Sequence, residues 1–161
     1  MSLIIKQIKN IKYIEVGEGP VLLLLHGLFG ALSNFKEVIA EFKSNYRVIV
    51  PMLPIYDMPI ISTGIGGLVK FIKKFISQIE LDEMIILGNS LGGHVALAYA
   101  LKYPENINAL ILTGSSGLYE SNLGGTYPKR GDYNFIKEKT EYTFHDPNTA
   151  TKELVDEVYE I

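Results

Sequence analysis

Four short runs dominated by apolar residues recur along the first 116 positions, and each is followed by a segment with a different pattern. The runs show no polar alternation, which is typical of strands buried on both faces of a parallel sheet. They lie at residues 21–25, 47–50, 84–87 and 109–112. Between them, apolar positions recur at helical spacing over residues 33–43, 65–79 and 92–103. The alternation predicts an α/β fold with a mostly parallel sheet and helices on both faces.

The two ends of the chain have other patterns. Ile and Lys nearly alternate over residues 3–16, which predicts an antiparallel edge hairpin that turns near Lys9 and Asn10. From Gly117 onward there are five basic and nine acidic residues and no run typical of a buried strand. We therefore expect loops and helices there, including a helix capped by Thr151.

Composition limits the classes of function. A chain of 161 residues with 47% hydrophobic and 20% charged residues predicts one sizeable globular core. The net charge of −3 makes nucleic acid a poor partner, and the absence of Cys excludes disulfides and thiolate catalysis. No run approaches the roughly 18 apolar residues of a membrane span, and no signal-peptide core is present, so a cytoplasmic location is the default expectation. Nucleotide-binding and metal-site motifs are also missing, so we expect no cofactor and no metal.

The most informative motif is Gly-Asn-Ser-Leu-Gly at residues 88–92, between the third apolar run and the following helix. A serine on a sharp strand-to-helix turn takes strained backbone angles, and side chains two residues away on either side would collide with it. Gly88 and Gly92 remove that collision. The turn lifts the Ser90 hydroxyl above the sheet, and the helix N-terminus presents amides to a developing oxyanion. Ser90 is therefore predicted to be a nucleophile.

A second motif, His-Gly-Leu-Phe-Gly at residues 26–30, follows the first apolar run. Acyl transfer requires two donors directed at the tetrahedral oxygen. The Leu91 amide is the first predicted donor, and the Leu28 amide, with Phe29 beside it, is the second.

With these two motifs, the sequence resembles the α/β-hydrolase superfamily, specifically the esterases with a serine nucleophile, an HG oxyanion loop and a GxSxG elbow. The resemblance implies an α/β-hydrolase core with six strands in residues 1–116, the start of a helical cap in 117–161, and the last two strands lacking. It implies Ser90 as nucleophile, Leu91 and Leu28 as oxyanion donors, and His26 as the organiser of the loop. The expected support and pocket residues are Gly27, Gly88, Gly92, Phe29 and Asn89.

Two departures from this family pattern affect the functional prediction. The loop at residues 51–57 lacks the Asp and glycines that the family often has there. The family's catalytic Asp and His come from loops after the seventh and eighth strands, and those strands are not in this sequence. The histidines outside the oxyanion loop are expected elsewhere: His94 packed on its helix, and His145 in a surface loop.

The leading hypothesis is a serine hydrolase that cleaves an ester or similar acyl bond of a small molecule through an acyl-enzyme on Ser90. The 161-residue chain itself is expected to be truncated and nearly inactive. One alternative is a carbon–carbon bond hydrolase that uses the same elbow. Another is a non-catalytic binding or assembly module that forms a homo-oligomer through the apolar edge of the sixth strand.

Overall fold

The computed structural model describes residues 4–28, 35–55, 64–118 and 132–160. These residues contain six strands, which form a single sheet. The strands are β1 (Ile5–Ile8), β2 (Ile11–Val16), β3 (Val21–Leu25), β4 (Arg47–Pro51), β5 (Met84–Asn89) and β6 (Ile107–Thr113).

Helices follow the strands from β3 onward. The α-helices are α1 (Lys36–Phe42), α2 (Ile65–Gln78), α3 (Leu91–Lys102), α4 (Tyr133–Thr143) and α5 (Lys152–Glu160). Short 3-10 helices occupy Pro104–Asn106 and Pro147–Thr149. None of the helices in the described ranges is long and apolar enough to cross a lipid bilayer.

The sheet has the strand order β1-β2-β4-β3-β5-β6. β1 pairs antiparallel with β2, and β2 pairs antiparallel with β4. The pairs of β3 with β4, β3 with β5, and β5 with β6 are parallel. The predicted α/β class, with a mostly parallel sheet and an antiparallel edge hairpin, is confirmed.

The unbroken apolar runs arise because the central strands are covered on both faces. In β3, Leu23 and Leu25 pack with residues of α2 and α3, whereas Leu22 and Leu24 pack with residues of α1. Alternate side chains of a strand point to opposite faces, so a strand between two apolar layers has no position for a polar residue. The four leucines are almost completely buried.

An ion-pair cluster links the three strands at the antiparallel side of the sheet. Glu15 of β2 accepts hydrogen bonds from Lys6 of β1 at 2.8 Å and from Arg47 of β4 at 2.5 Å. Partial burial alone would raise the pKa of Glu15, but the hydrogen bonds and charges of Lys6 and Arg47 outweigh it and lower the pKa. Glu15 therefore stays ionised between its two partners.

The chain forms two compact units, Met1–Glu120 and Ser121–Ile161. In the second unit Asp132 caps α4 by accepting from the Phe135 amide, and Thr151 accepts from the Leu154 amide at the start of α5. Ile136 and Val155 of this unit are buried. The described part of the segment after Gly117 is helical, as its sequence predicts, while its assignment to a cap remains a prediction.

Two details differ from the sequence prediction, and a third falls partly outside the described residues. Pro51 was expected in a loop but is the last residue of β4, opposite Tyr13, where a missing N–H is tolerated at a strand end. The apolar run of β6 is not buried on both faces: Leu110 and Leu112 pack against the core, whereas Ile111 on the opposite face is 42% exposed. The helix predicted over residues 33–43 is described as α1 from Lys36 to Phe42, and residues 33–34 lie outside the described residues.

Candidate active site

The two strands that carry the predicted site motifs are neighbours in the sheet. The chain passes from β3 to β4 on one side and returns as β5 on the other side of β3. Where strand order reverses in this way, the loops at the carboxyl ends diverge and leave a crevice in which open α/β sheets bind ligands. Gly27 follows β3 and Ser90 follows β5, so the topology brings these residues together.

Ser90 occupies the sharp turn between β5 and α3. Its backbone angles are φ 55° and ψ −122°, a region that residues with a side chain rarely adopt. The Ser90 carbonyl accepts hydrogen bonds from the amides of Gly93 at 3.0 Å and His94 at 3.2 Å, which start α3 directly on the turn. The predicted strained strand-to-helix turn is therefore present at Ser90.

The elbow glycines allow close contacts between backbone segments. A Cβ at position 92 would lie 2.0 Å from the Leu25 carbonyl oxygen and 2.6 Å from that of His26. A Cβ at position 88 would lie 2.5 Å from the Gly92 carbonyl oxygen. Because backbone atoms cannot move away as a flexible side chain can, both positions require glycine, and α3 rests directly on the end of β3.

Gly27 lies against the Ser90 side chain. A Cβ at position 27 would be 2.9 Å from the Ser90 Cβ and 3.3 Å from its Oγ. The backbone of the β3 loop therefore borders the hydroxyl, and a side chain at this position would fill the space beside the hydroxyl.

The two predicted oxyanion donors are in the segments that border Ser90. Leu91 is the first residue of α3, and Leu28 follows Gly27 in the β3 loop with 40% of its surface exposed. The first amides of a helix have no carbonyl one turn earlier to bind, and they lie at the positive end of the helix dipole. This arrangement places a polarised amide next to the Ser90 hydroxyl.

His26 connects the loop after β3 to the loop after β4. Its Nε2 accepts a hydrogen bond from the Leu53 amide at 2.9 Å, so Nδ1 carries the proton and donates to the Gly27 carbonyl at 2.8 Å. The ring is only 5% exposed. Burial lowers the pKa of His26, which outweighs the opposing effect of its bond to Gly27. The imidazole is thus neutral, and both nitrogens are bonded to the backbone.

Of the two predicted pocket residues, the described part of the chain contains Asn89. The Asn89 side chain turns to β6, where its Nδ2 donates to the carbonyl and the hydroxyl of Thr113, both at 3.1 Å. Phe29 lies outside the described residues. The Asn89 amide thus joins two strand ends, and its place in the pocket wall stays a prediction.

The remaining histidines make other contacts in the described residues. The half-buried ring of His94 packs on Gly117, where a Cβ would lie 2.5 Å from its Cδ2 atom. His145 is exposed in a bend of the second unit. Among the described residues, no imidazole is hydrogen-bonded to Ser90, and no cluster of three acidic or imidazole side chains could hold a metal ion.

Four residues that contact the site were not identified from the sequence. Leu53 bonds to His26, Thr113 bonds to Asn89, the Ser115 side chain lies against Gly93, and the Ser116 amide donates to Ser90. One signal was available in the sequence: Gly93 is a second glycine in the first turn of α3. A Cβ there would lie 2.5 Å from the Ser115 Oγ, so this glycine marks a segment that passes close to the helix.

Comparison with known proteins agrees with this geometry. The sequence profile described as the alpha/beta hydrolase fold matches residues 20–141, from the start of β3 into the second unit. The chain belongs to the α/β-hydrolase fold family. The predicted family and fold are thereby confirmed.

Similar proteins within the α/β-hydrolase family include enzymes that cleave dienoate compounds. The chain is 29% identical to 2-hydroxy-6-oxo-6-phenylhexa-2,4-dienoate hydrolase of Comamonas testosteroni, over 90% of this chain and 57% of that protein. It is 35% identical to 2-hydroxy-6-oxononadienedioate/2-hydroxy-6-oxononatrienedioate hydrolase 1 of Pseudomonas putida, over 65% of this chain and 40% of that protein. The chain thus spans about half the length of these curated relatives.

Solved α/β-hydrolase structures align with the same region. MGS-MChE2, an α/β-hydrolase enzyme from the metagenome of lagoon sediments at Mar Chica, is 44% identical over 72% of this chain and 53% of that chain, with a TM-score of 0.68. The meta-cleavage product hydrolase CumD of Pseudomonas fluorescens IP01 is 26% identical over 93% of this chain and 59% of that chain, with a TM-score of 0.77.

Proposed function

We propose that Ser90 is the nucleophile of a hydrolase that cleaves an ester or similar acyl bond of a small molecule. The observation that carries the proposal is the strained turn of Ser90 between β5 and α3, with its hydroxyl against the backbone of Gly27. A strained residue with a side chain at the carboxyl edge of a sheet is a feature of functional sites.

In the proposed reaction, the Ser90 Oγ attacks the carbonyl carbon of the substrate and its proton passes to a base. The amides of Leu91 and Leu28 donate to the oxygen that becomes negative in the tetrahedral intermediate. Collapse of this intermediate expels the alcohol and leaves an acyl group on Ser90, which water then removes. His26 supports the reaction indirectly, since its bond to the Gly27 carbonyl fixes the loop that carries Leu28.

His26 cannot serve as the base, because both of its ring nitrogens are engaged with backbone groups. Attack by Ser90 and hydrolysis of its acyl group both need a proton acceptor, so with water as the acceptor we expect both steps to be slow in the 161-residue chain. Oxyanion donors and binding alone preserve about 10³-fold acceleration over water when a triad residue is missing.

This proposal is tested by incubating the chain with p-nitrophenyl acetate and mapping the acetylated peptide by mass spectrometry. We expect slow acetylation of Ser90, above that of the other serines of the chain, and its loss in Ser90→Ala. Ser116→Ala is the matched control, because Ser116 bonds to Ser90 only through its backbone amide. Acetylation that persists in Ser90→Ala, or the absence of any acetylated protein, would contradict the assignment.

A second candidate reaction is hydrolysis of a carbon–carbon bond in a dienoate. The observation that favours it is the similarity to hydrolases named for such compounds, over 90% of this chain in one case. Ester and dienoate hydrolysis share the nucleophilic elbow, so substrate profiling of a full-length relative of this chain distinguishes them. Preference for a 2-hydroxy-6-oxo-dienoate over a simple ester of equal size would favour the second reaction.

We also propose that β6 pairs with β6 of a second copy. Among the described strands β6 pairs only with β5, and its sequence INALILT has no charge or proline to block an added strand. An antiparallel pair centred on Leu110 would place Ala109 opposite Ile111 and bring no like charges together. This contact would make the chain an assembly module even without catalysis.

Static light scattering at micromolar concentration tests this pairing. We expect a dimer for the natural chain and a monomer for Ile111→Lys, because a lysine on an edge strand opposes strand addition. Ile5→Lys on β1 is the matched control, since Ile5 is also exposed but lies at the opposite edge of the sheet. A monomeric natural chain, or equal dissociation by both variants, would refute the pairing.

A further inference from the structure

Residues 113–117, at the end of β6 and just after it, bind both the backbone amide and the backbone carbonyl of Ser90. The Ser90 amide donates to the Thr113 carbonyl at 3.1 Å, and the Ser116 amide donates to the Ser90 carbonyl at 3.3 Å. We call residues 113–117 the β6 exit. Both backbone polar groups of the strained Ser90 are therefore bonded to the β6 exit.

The β6 exit also touches the first turn of α3 through side chains. The Ser115 Oγ lies 2.5 Å from where a Cβ of Gly93 would be, and Gly117, with φ 84°, lies against the His94 ring. These contacts fill the space beside the helix. A shift of the β6 exit would therefore change the surroundings of Ser90 and of the helix that follows it.

One side chain fixes the position of the β6 exit relative to the nucleophile turn. Asn89 and Thr113 are the last aligned pair of β5 and β6, and the Asn89 Nδ2 donates to both the carbonyl and the hydroxyl of Thr113. The carbonyl that receives the Asn89 side chain is the same one that receives the Ser90 amide. We propose that Asn89 is a positioning residue, which holds the β6 exit against Ser90 by binding Thr113.

The strain at Ser90 makes such a contact necessary. A sparsely populated backbone conformation persists only when the surrounding structure over-determines it. In the described residues, the Thr113 carbonyl accepts from the Asn89 side chain and from the Ser90 amide. Without the Asn89 side chain, the bond from the Ser90 amide would remain. The expected effect on catalysis rests on the proposed function of Ser90, whereas the effect on the backbone does not.

Amide hydrogen exchange, followed by NMR on the 161-residue chain, tests the positioning role. In Asn89→Ala we expect exchange of the Ser90 and Ser116 amides to become about tenfold faster, because both side-chain hydrogen bonds to Thr113 are lost from a local structure. Amides in β3 and β4 should exchange as in the natural chain. Thr113→Val removes only the hydroxyl acceptor, and we expect a smaller change of about twofold to threefold.

Asn108→Ala is the matched control for this experiment. Asn108 lies near the start of β6, at the end of the strand away from Thr113, and its side chain donates to Glu83 at 3.3 Å. It should leave the exchange of Ser90 unchanged. The positioning role is refuted if Asn89→Ala leaves the Ser90 amide as protected as before, or if all core amides accelerate together.

Acetylation of Ser90 by p-nitrophenyl acetate provides a second measurement. We expect Asn89→Ala to slow acetylation by about tenfold, because a misplaced nucleophile loses near-attack geometry. Faster Ser90 exchange with no acetylation in any variant would refute the proposed nucleophile and support the positioning role. Unchanged exchange with normal acetylation would support the nucleophile and refute the positioning role.

Discussion

Replacing Gly92 with alanine is expected to lower the free energy of unfolding by about 3 kcal/mol or more, which is the range of severe overpacking in a core. Alanine is normally the better helix residue by about 1 kcal/mol. Here the added Cβ would lie 2.0 Å from the Leu25 carbonyl oxygen and 2.6 Å from that of His26. Either α3 or the end of β3 must move, and the central strand of the sheet cannot move without disturbing both its neighbours.

Urea unfolding followed by circular dichroism measures this effect. Gly66→Ala is the matched control, because Gly66 lies in α2 and a Cβ there would meet nothing within 4 Å. We expect that substitution to raise stability by up to about 1 kcal/mol, since it reduces the entropy of the unfolded chain. Equal stabilities of the two variants would show that the close approach of α3 to β3 is wrong.

The Gly92 contact also shows which parts of the site could be predicted from the sequence. The glycines on either side of Ser90 are local to the turn, so spacing alone identifies them, and the apolar strand before them identifies their place in the sheet. The central strands could also be predicted from a pattern that is local in the sequence. Burial on both faces leaves a continuous apolar run that needs no knowledge of the neighbouring strands.

Other features depend on neighbours that a local pattern does not contain. The apolar run of β6 resembles that of β3, yet β6 lies at the end of the strand order and Ile111 is 42% exposed. The direction of the Asn89 side chain depends on Thr113, 24 residues later in the chain. Such contacts are set by strand order and register, so the sequence predicted a polar residue near the site but not its partner.

The bond between His26 and Leu53 is also set by strand order, since it links residues that are 27 positions apart in the sequence. The loop that contains Leu53 lacks the Asp and glycines that the family often has there. Its sequence therefore gives no indication of a contact with His26. A backbone amide, however, is present whatever the side chain is. The loop after β4 can therefore vary in sequence and still donate to His26.

His26 makes the stability of the fold depend on pH in a predictable direction. The ordinary pKa of 6.5 applies to the unfolded chain, and burial lowers the pKa in the folded state. Below pH 6.5 the unfolded state binds a proton first, so stability falls as the pH falls, by up to about 1.4 kcal/mol per pH unit. This decline continues until the pH reaches the lowered pKa of the folded protein. Above pH 6.5 the contribution of His26 is fully present.

Substitution of His26 should remove this dependence and destabilise the protein at neutral pH. In His26→Leu the Leu53 amide and the Gly27 carbonyl both lose a buried partner, and we expect a loss of about 2–4 kcal/mol at pH 7.5. In His26→Gln the side-chain oxygen can still accept from the Leu53 amide, so a smaller loss of about 1 kcal/mol is expected.

The measurement is urea unfolding of each variant between pH 5 and 8. His145→Ala is the control for loss of an imidazole, and we expect it to change stability by less than about 0.5 kcal/mol because His145 is exposed. If His26→Leu retained the decline below pH 6.5, another group would be responsible for it. Loss of the decline in His26→Leu, together with the intermediate stability of His26→Gln, would establish that one neutral imidazole joins the loop after β3 to the loop after β4.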